Sequence, residues 1–264
     1  EISLKEVDLD DGLLKVIGYV GENDNSLTHF INQFSKSKSS TKKKFKLELS
    51  DIKLKNFRHF RDRRETGVRE YYYVQDGSVK VEQMNFPANY ILLNSVNLKG
   101  PAVLISHDPN VIPPESKAIL DSVYSCTNPF VIFIKKANLE KGYFAFDRTG
   151  NVVFEEQGKD HVDFKHFSVD EIEGSLSNFF YSDFESNGVL HELKARLNNK
   201  MRIQSFKAGK IDVSNNKTTL ENFTLETDRS FVGDSLYLTY GSYKDFKNFN
   251  NRVFLQLVAK SNTV

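Results

Sequence analysis

The apolar residues of this chain fall into a recurring mask. In Leu47-Glu48-Leu49-Ser50-Asp51-Ile52-Lys53-Leu54, two apolar alternating pairs are separated by two polar residues. The same spacing returns at Ile2-Leu4-Val7-Leu9, Ile91-Leu93-Val96-Leu98, Ile132-Ile134-Ala137-Leu139 and Val162-Phe164-Phe167-Val169. Looser copies sit at Met201-Ile203-Phe206-Ala208 and Thr218-Leu220-Phe223-Leu225. Strict alternation within a pair is the period of a strand with one buried face. The three-residue step between pairs breaks that period, and a strand that keeps its apolar side inward absorbs the extra residue as a bulge or bend. One bent-strand unit is therefore laid down repeatedly. The pattern predicts a mainly β fold, an elongated β-repeat architecture of bent strands with two or three short helices. An ordinary β-sandwich of similar strands fits the same alternation.

Turn chemistry supports the repeat. Three units end alike, in Leu9-Asp10-Asp11-Gly12, Leu98-Lys99-Gly100 and Leu139-Glu140-Lys141-Gly142. Leu54-Lys55-Asn56 follows the same course, with Asn where a turn wants a positive φ. Phe45–Asp62 aligns with Phe130–Asp147 at a constant offset of 85 (130 − 45), aromatic tail included.

The expected organisation is one continuous β-segment over 1–264 with three sub-repeats. Residues 1–44 hold strands, a short capping helix at 26–34 and the basic linker SKSKSSTKKK. Residues 45–129 hold the second repeat, with an insertion at 106–128 that is rich in helix breakers. Residues 130–264 hold the third repeat and further strands, including Leu236–Tyr240 and a last one at Val253–Val258, with a helical turn at Phe246 and Phe249.

Composition narrows the function classes. The formal net charge is +1, so no global field favours nucleic acid. Arg58, Arg61, Arg63, Arg64 and Arg69 next to Tyr71-Tyr72-Tyr73 have the look of a single-stranded nucleic-acid site, but Asp62, Glu65 and Glu70 interrupt them. The reading preferred is a solvated hairpin tip. The single cysteine, Cys126, excludes an intrachain disulfide framework. No run approaches the ~20 apolar residues of a spanning helix. The chain starts at Glu1 and is read as a fragment. Among the six histidines none has a metal-spaced partner: His161 and His166 fall on opposite faces of a strand, and His191-Glu192-Leu193-Lys194-Ala195 lacks a second His. Ser106-His107-Asp108 are sequence neighbours, unlike the members of a triad. Cys126 has no evident activating base, and no Gly-rich phosphate cradle exists. The expectation is a non-enzymatic protein with no metal and no cofactor.

Several segments in order resemble the TamB branch of the AsmA-like family. They are Leu27-Thr28-His29-Phe30-Ile31-Asn32-Gln33-Phe34, followed by the Lys/Ser linker and Asp51-Ile52-Lys53-Leu54-Lys55-Asn56. Glu226-Thr227-Asp228-Arg229-Ser230 precedes a strand, and Tyr240 leads to Asp245-Phe246-Lys247-Asn248-Phe249-Asn250-Asn251-Arg252-Val253. The resemblance implies an internal, N-terminal-side fragment of a periplasmic bridge protein, anchored in the inner membrane by a helix not present in this chain. It also implies an outer-membrane assembly partner of the Omp85 type, reached through regions outside this fragment. The fold it implies is an elongated, curved antiparallel β-sheet forming a U-shaped groove, continuous over 1–264, and the function implied is the carriage of phospholipid along that apolar groove between the membranes. Physically this is sensible: about 30 methylenes of a two-chain lipid at ~0.8 kcal/mol each cost roughly 24 kcal/mol in water. The groove-lining candidates are Leu47, Leu49, Ile91, Leu93, Ile132, Ile134, Phe164, Ile203 and Leu225, with Glu48, Lys53, Lys135, Asp163 and Lys165 facing solvent. A scaffold that adds its sheet edges to outer-membrane proteins, and a filled-core structural β-repeat, are the alternatives.

Overall fold

In the computed structural model of the chain, the residues described are 2–3, 5–21, 25–26, 29, 47–85, 88–108, 110–111, 131–148, 166–182, 185–198, 201–242, 245 and 249–259. They form β1 (Ile2–Ser3), β2 (Glu6–Asp10), β3 (Leu13–Gly18), β4 (Leu47–Glu48), β5 (Asp51–Arg63), β6 (Val68–Asn85), β7 (Tyr90–Lys99) and β8 (Ala102–His107). After these come β9 (Val131–Asp147), β10 (His166–Tyr181), β11 (Glu185–Leu197), β12 (Met201–Ser214), β13 (Lys217–Thr227), β14 (Phe231–Tyr240), the helix α1 (Phe249–Arg252) and β15 (Val253–Ala259). The fold is mainly β. The capping helix expected at 26–34, the basic linker, residues 112–130 and the strand expected at Val152–Phe154 lie wholly or largely outside the described residues.

Thirteen strands make one sheet, in the order β15-β14-β13-β12-β11-β10-β9-β7-β6-β5-β2, with β3 and β8 continuing the columns of β2 and β7. β1 and β4 pair separately. Eleven columns span ten intervals, about 48 Å at ~4.8 Å each. From β9 to β15 the sheet is an antiparallel meander. Elsewhere it is mixed, because β2 and β3 pair parallel with β5, and β7 and β8 pair parallel with β9. These two broken-strand-plus-long-strand groups are the internal repeat read from the sequence. They share the same hydrogen bonds across the break: Asp11 and Gly100 N–H donate to the Lys55 and Glu140 carbonyls (2.9 and 2.8 Å), and Arg58 and Tyr143 N–H donate to the Gly12 and Pro101 carbonyls (2.9 and 2.8 Å).

The expected turn residues sit inside columns, as bends. Asp11, Asn56, Gly100 and Lys141 have φ of 51°, 47°, 58° and 53°, and Glu171 on β10 follows at 50°. Lys55 pairs with Asp10, and Lys99 pairs with Glu140, so these left-handed residues align across the sheet as one crease. A second crease runs about six residues away, roughly 20 Å at ~3.3 Å per residue. It passes through the irregular pairing of β7 at Asn94, then Asn178 (φ 51°), Asn222 (φ 51°) and Asp234 (φ 109°). At Asn94 and Asn222 it coincides with the three-residue steps of the apolar mask. The insertion expected at 106–128 begins too early. Gly100-Pro101 bends the chain without ending the strand, and Ser106 and His107 belong to β8.

Candidate functional site

Each crease residue uses one position without alternating, so the apolar side stays on the same face of the sheet through the bend. Geometry shows this directly. A Cβ built on Gly77 would meet Val74, Leu98 and Leu54 side chains, and one on Gly142 would meet Leu139 and Ile172. The inner set therefore runs Leu54-Phe57-His59 on β5, Leu98-Pro101-Val103 across β7 and β8, and Leu139-Gly142-Phe144 on β9.

Between the creases, two rows of directly paired residues form a floor. One is Val7, Ile52, Val79, Val96, Ala137, Leu176, Leu190, Ala208 and Phe223. The other is Leu9, Leu54, Gly77, Leu98, Leu139, Gly174, Leu193, Phe206, Leu225 and Val232. No position in either row is polar. The opposite face over the same columns reads Asp8, Lys53, Ser78, Asn97, Asn138, Ser175 and Glu192. There Asn138 Nδ2 donates to Asn97 Oδ1 (2.9 Å) and Asn97 Nδ2 to Ser78 Oγ (3.3 Å). A Glu192 oxygen accepts from Ser205 Oγ at 2.7 Å. Lys53 pairs with Glu6 and its pKa is raised, chiefly by that hydrogen bond.

Among the described residues the floor is not closed over: the buried apolar side chains are Val16, Val81, Pro101, Ala195, Ala208, Phe223 and Tyr240, and most of the floor and walls is half-buried. A filled sandwich core would bury both rows. Part of the floor dips into a shallow apolar depression of about 160 Å³, lined by Val96, Leu98, Ala137, Leu139, Leu176 and Leu193 among others. Space comes from small residues: Gly174 lies between Leu139 and Leu193 in its row.

Beyond the second crease the inner face continues as a wall. Ile91 pairs with Ile132, Leu93 with Ile134, and Ile134 with Phe179; further along, Ile211, Leu220, Leu236 and Leu257 are paired in turn. Beyond the first crease the other wall carries Leu14, His59, Tyr72, Val103, Phe144, Val169 and Leu197 in one row. The next row holds Val16, Arg61, Glu70, Ile105, Phe146 and Phe167. Phe167 stacks obliquely on Phe144 and Phe146, with ring centroids 5.6 and 6.0 Å apart.

Of the expected lining residues, Ile91, Leu93, Ile132, Ile134, Ile203 and Leu225 fall on this inner face, where the registers join them into one surface. Leu49 is half-buried in the link between β4 and β5. Only the backbone of Leu47 and Glu48 is described, and Phe164, Asp163 and Lys165 lie outside the described residues. Lys135 pairs with Glu82 at the second crease. The solvated-tip reading of the arginine cluster fails at Glu70, which is 7% exposed and held by Arg61 and Arg63. The apolar mask contains most of the floor, Phe223 included, but apart from Leu225 none of these floor positions is among the lining candidates, and β8 was missed altogether. A second three-residue step in each unit (9 to 12, 54 to 57, 98 to 101, 139 to 142) was the available signal.

Among the described residues no group of three or more His, Cys, Asp or Glu side chains could hold a metal ion. No described helix is long and apolar enough to cross a membrane. No protein-family model matches the sequence, and no curated protein matches it either.

Proposed function

We propose that this chain is a section of a lipid-carrying trough whose apolar inner face shields the acyl chains of phospholipids while they move between two membranes. The observation that carries the reading is the pair of uninterrupted apolar floor rows, in register across nine and ten columns and left half-exposed by a single-layer sheet. Such a surface keeps methylenes off water at ~0.8 kcal/mol each. It offers many weak and similar contacts, so a chain can slide without a deep trap. No residue need be catalytic. The resemblance to the TamB branch extends the reading to the periplasm, with inner-membrane anchoring and an outer-membrane partner supplied by other parts of the protein.

The test is a photo-crosslinking amino acid at Ile134 or Leu98, compared with Asn138 on the outer face. Phospholipid adducts from the two inner positions and none from Asn138 are expected. Adducts to protein alone, or equal lipid capture from both faces, would sink the proposal.

One observation favours a second reading, assembly by strand addition. Among the described residues β15 pairs only with β14, and its seven residues (VFLQLVA) include no charge and no proline. A crosslinker at Gln256 that captured another polypeptide's strand, while Ile134 captured no lipid, would favour it.

A further inference from the structure

The strand registers place almost nothing charged on the inner face. On the described strands, every lysine and arginine points outward or lies at a crease, with two exceptions: Arg61 and Arg63 on β5. Arg61 is paired across from Glu70, whose partners in the same row are Val16, Ile105, Phe146 and Phe167 by way of their columns. The two guanidiniums therefore stand two residues apart on one face, in a wall whose other polar members are His59, Tyr72, Glu70 and His107.

They are held there. Arg63 Nη2 reaches Glu70 Oε1 at 2.8 Å and Arg61 Nη1 lies 3.7 Å from Oε2. Tyr72, stacked on His59 with centroids 5.6 Å apart, donates from its hydroxyl to Glu70 Oε2 at 3.4 Å. The carboxylate is nearly buried while both arginine side chains remain more than 40% exposed. Two guanidiniums share one carboxylate, which leaves a surplus of one positive charge (2 − 1 = 1) on two exposed side chains. A buried carboxylate is costly unless it is paired, and the two arginines supply that pairing to Glu70 while staying exposed themselves.

We propose that Arg61 and Arg63 form a head-group site in the trough wall, taking the phosphate of a phospholipid whose acyl chains lie along Val103, Ile105, Phe144, Phe146 and Phe167. This rests on the trough reading above and adds to it a fixed place for the polar end. Guanidinium pairs match phosphate oxygens in geometry and charge. From β5 to β10 the wall crosses four intervals, about 19 Å at ~4.8 Å each, and beyond β6 its inner side carries Val103, Ile105, Phe144, Phe146, Val169 and Phe167, with His107 at the end of β8. Head at the arginines and tails along the aromatic wall satisfy both ends of one amphiphile.

The experiment uses the purified chain loaded with the neutral apolar fluorophore N-phenylnaphthylamine, displaced by a short-chain phosphatidylglycerol or by the diacylglycerol with the same acyl chains. The phospholipid should displace it at about tenfold or more lower concentration, the range expected of charge-assisted hydrogen bonds. In Arg61→Gln/Arg63→Gln that ratio should fall to about one. Glu70→Gln, which frees both guanidiniums, should keep the ratio or widen it, and Lys207→Gln on the outer face should keep it. Circular dichroism and melting check that each variant is folded. Equal affinity for the two lipids in the unaltered chain overturns the head-group site and leaves the trough standing. Failure of the fluorophore and both lipids to bind overturns the trough and this site with it. Inorganic phosphate binding as tightly as the phospholipid would make the pair an anion site with no amphiphile, and overturns the proposal too.

Discussion

The creases depend on single residues held in the left-handed region, and adjacent positions on one strand should therefore respond to substitution with opposite signs. Lys141 has φ 53° at the first crease, whereas Glu140 beside it is an ordinary exposed strand residue on the polar face. A non-glycine residue in the left-handed region costs about 1–2 kcal/mol. Glycine removes that cost but makes the unfolded chain looser by roughly 0.5–1 kcal/mol. Lys141→Gly should thus be neutral or stabilising by up to about 1 kcal/mol. Lys141→Val puts a β-branched side chain where it is least tolerated, and should cost about 1–2 kcal/mol more than lysine does. The two variants should differ by roughly 2 kcal/mol. At Glu140 the order reverses: glycine weakens a strand by about 0.5–1 kcal/mol, while valine suits it. Urea denaturation reads the difference, since with a slope of about 2 kcal/mol per molar the Lys141 pair should be separated by roughly 1 M. If valine and glycine rank the same way at 140 and 141, the crease is not held by backbone conformation and the argument built on it fails.

Phe223, 4% exposed at the end of one floor row, should cost about 3 kcal/mol when replaced by alanine, measured by the same denaturation. Asp245 Oδ2 accepts from Gly241 and Ser242 N–H (2.8 and 3.0 Å), and Oδ1 lies 3.3 Å from Arg252 Nη1. These bonds, that from Ser242 first, hold its carboxyl below the usual carboxylate range. Its contribution is present above the ordinary aspartate pKa and is lost as pH falls through the folded value. Amide-exchange protection of Val253–Ala259 should therefore drop between pH 5 and pH 3, and Asp245→Asn should abolish that drop; unchanged protection in the native chain refutes it. Val258, exposed on β15 beside the open edge, should reduce self-association in light scattering when replaced by lysine.

Much of this was legible because strand alternation is local and creases have their own chemistry. The stretches ending in Gly12, Asn56, Gly100 and Gly142 read as one shared turn, and the left-handed residues within them are Asp11, Asn56, Gly100 and Lys141, so in two of the four the bend falls one residue before the glycine. The offset of 85 that relates Asn56 to Lys141 reflects two equivalent parallel groups. Illegible was anything set by register between distant segments. Nothing around Gly174 announces that it lies between Leu139 and Leu193, since the pairing depends on bulges in β10. Glu70 reads as a surface acid because its two arginines lie seven and nine residues earlier, on another strand. The resumption of β8 after Gly100-Pro101 was missed because glycine followed by proline marks turns far more often than bends within a column.

The physical logic of the trough lies in where the irregular residues fall. A single bulge bends one strand and normally flips the side chains beyond it to the other face. Here each column skips alternation at the same height as its neighbours, so the bends add up into a crease and the apolar face remains inward on floor and walls alike. Random placement of the same residues would leave a twisted sheet with mixed faces. The alignment costs backbone strain at five left-handed sites along the first crease, four of them not glycine. A flat sheet could bury the same side chains against a partner layer without that strain. What the strain maintains, among the described residues, is an apolar floor that stays half-exposed across about 43 Å of sheet (nine intervals at ~4.8 Å), and the proposed lipid-carrying function needs that property where a stable core does not.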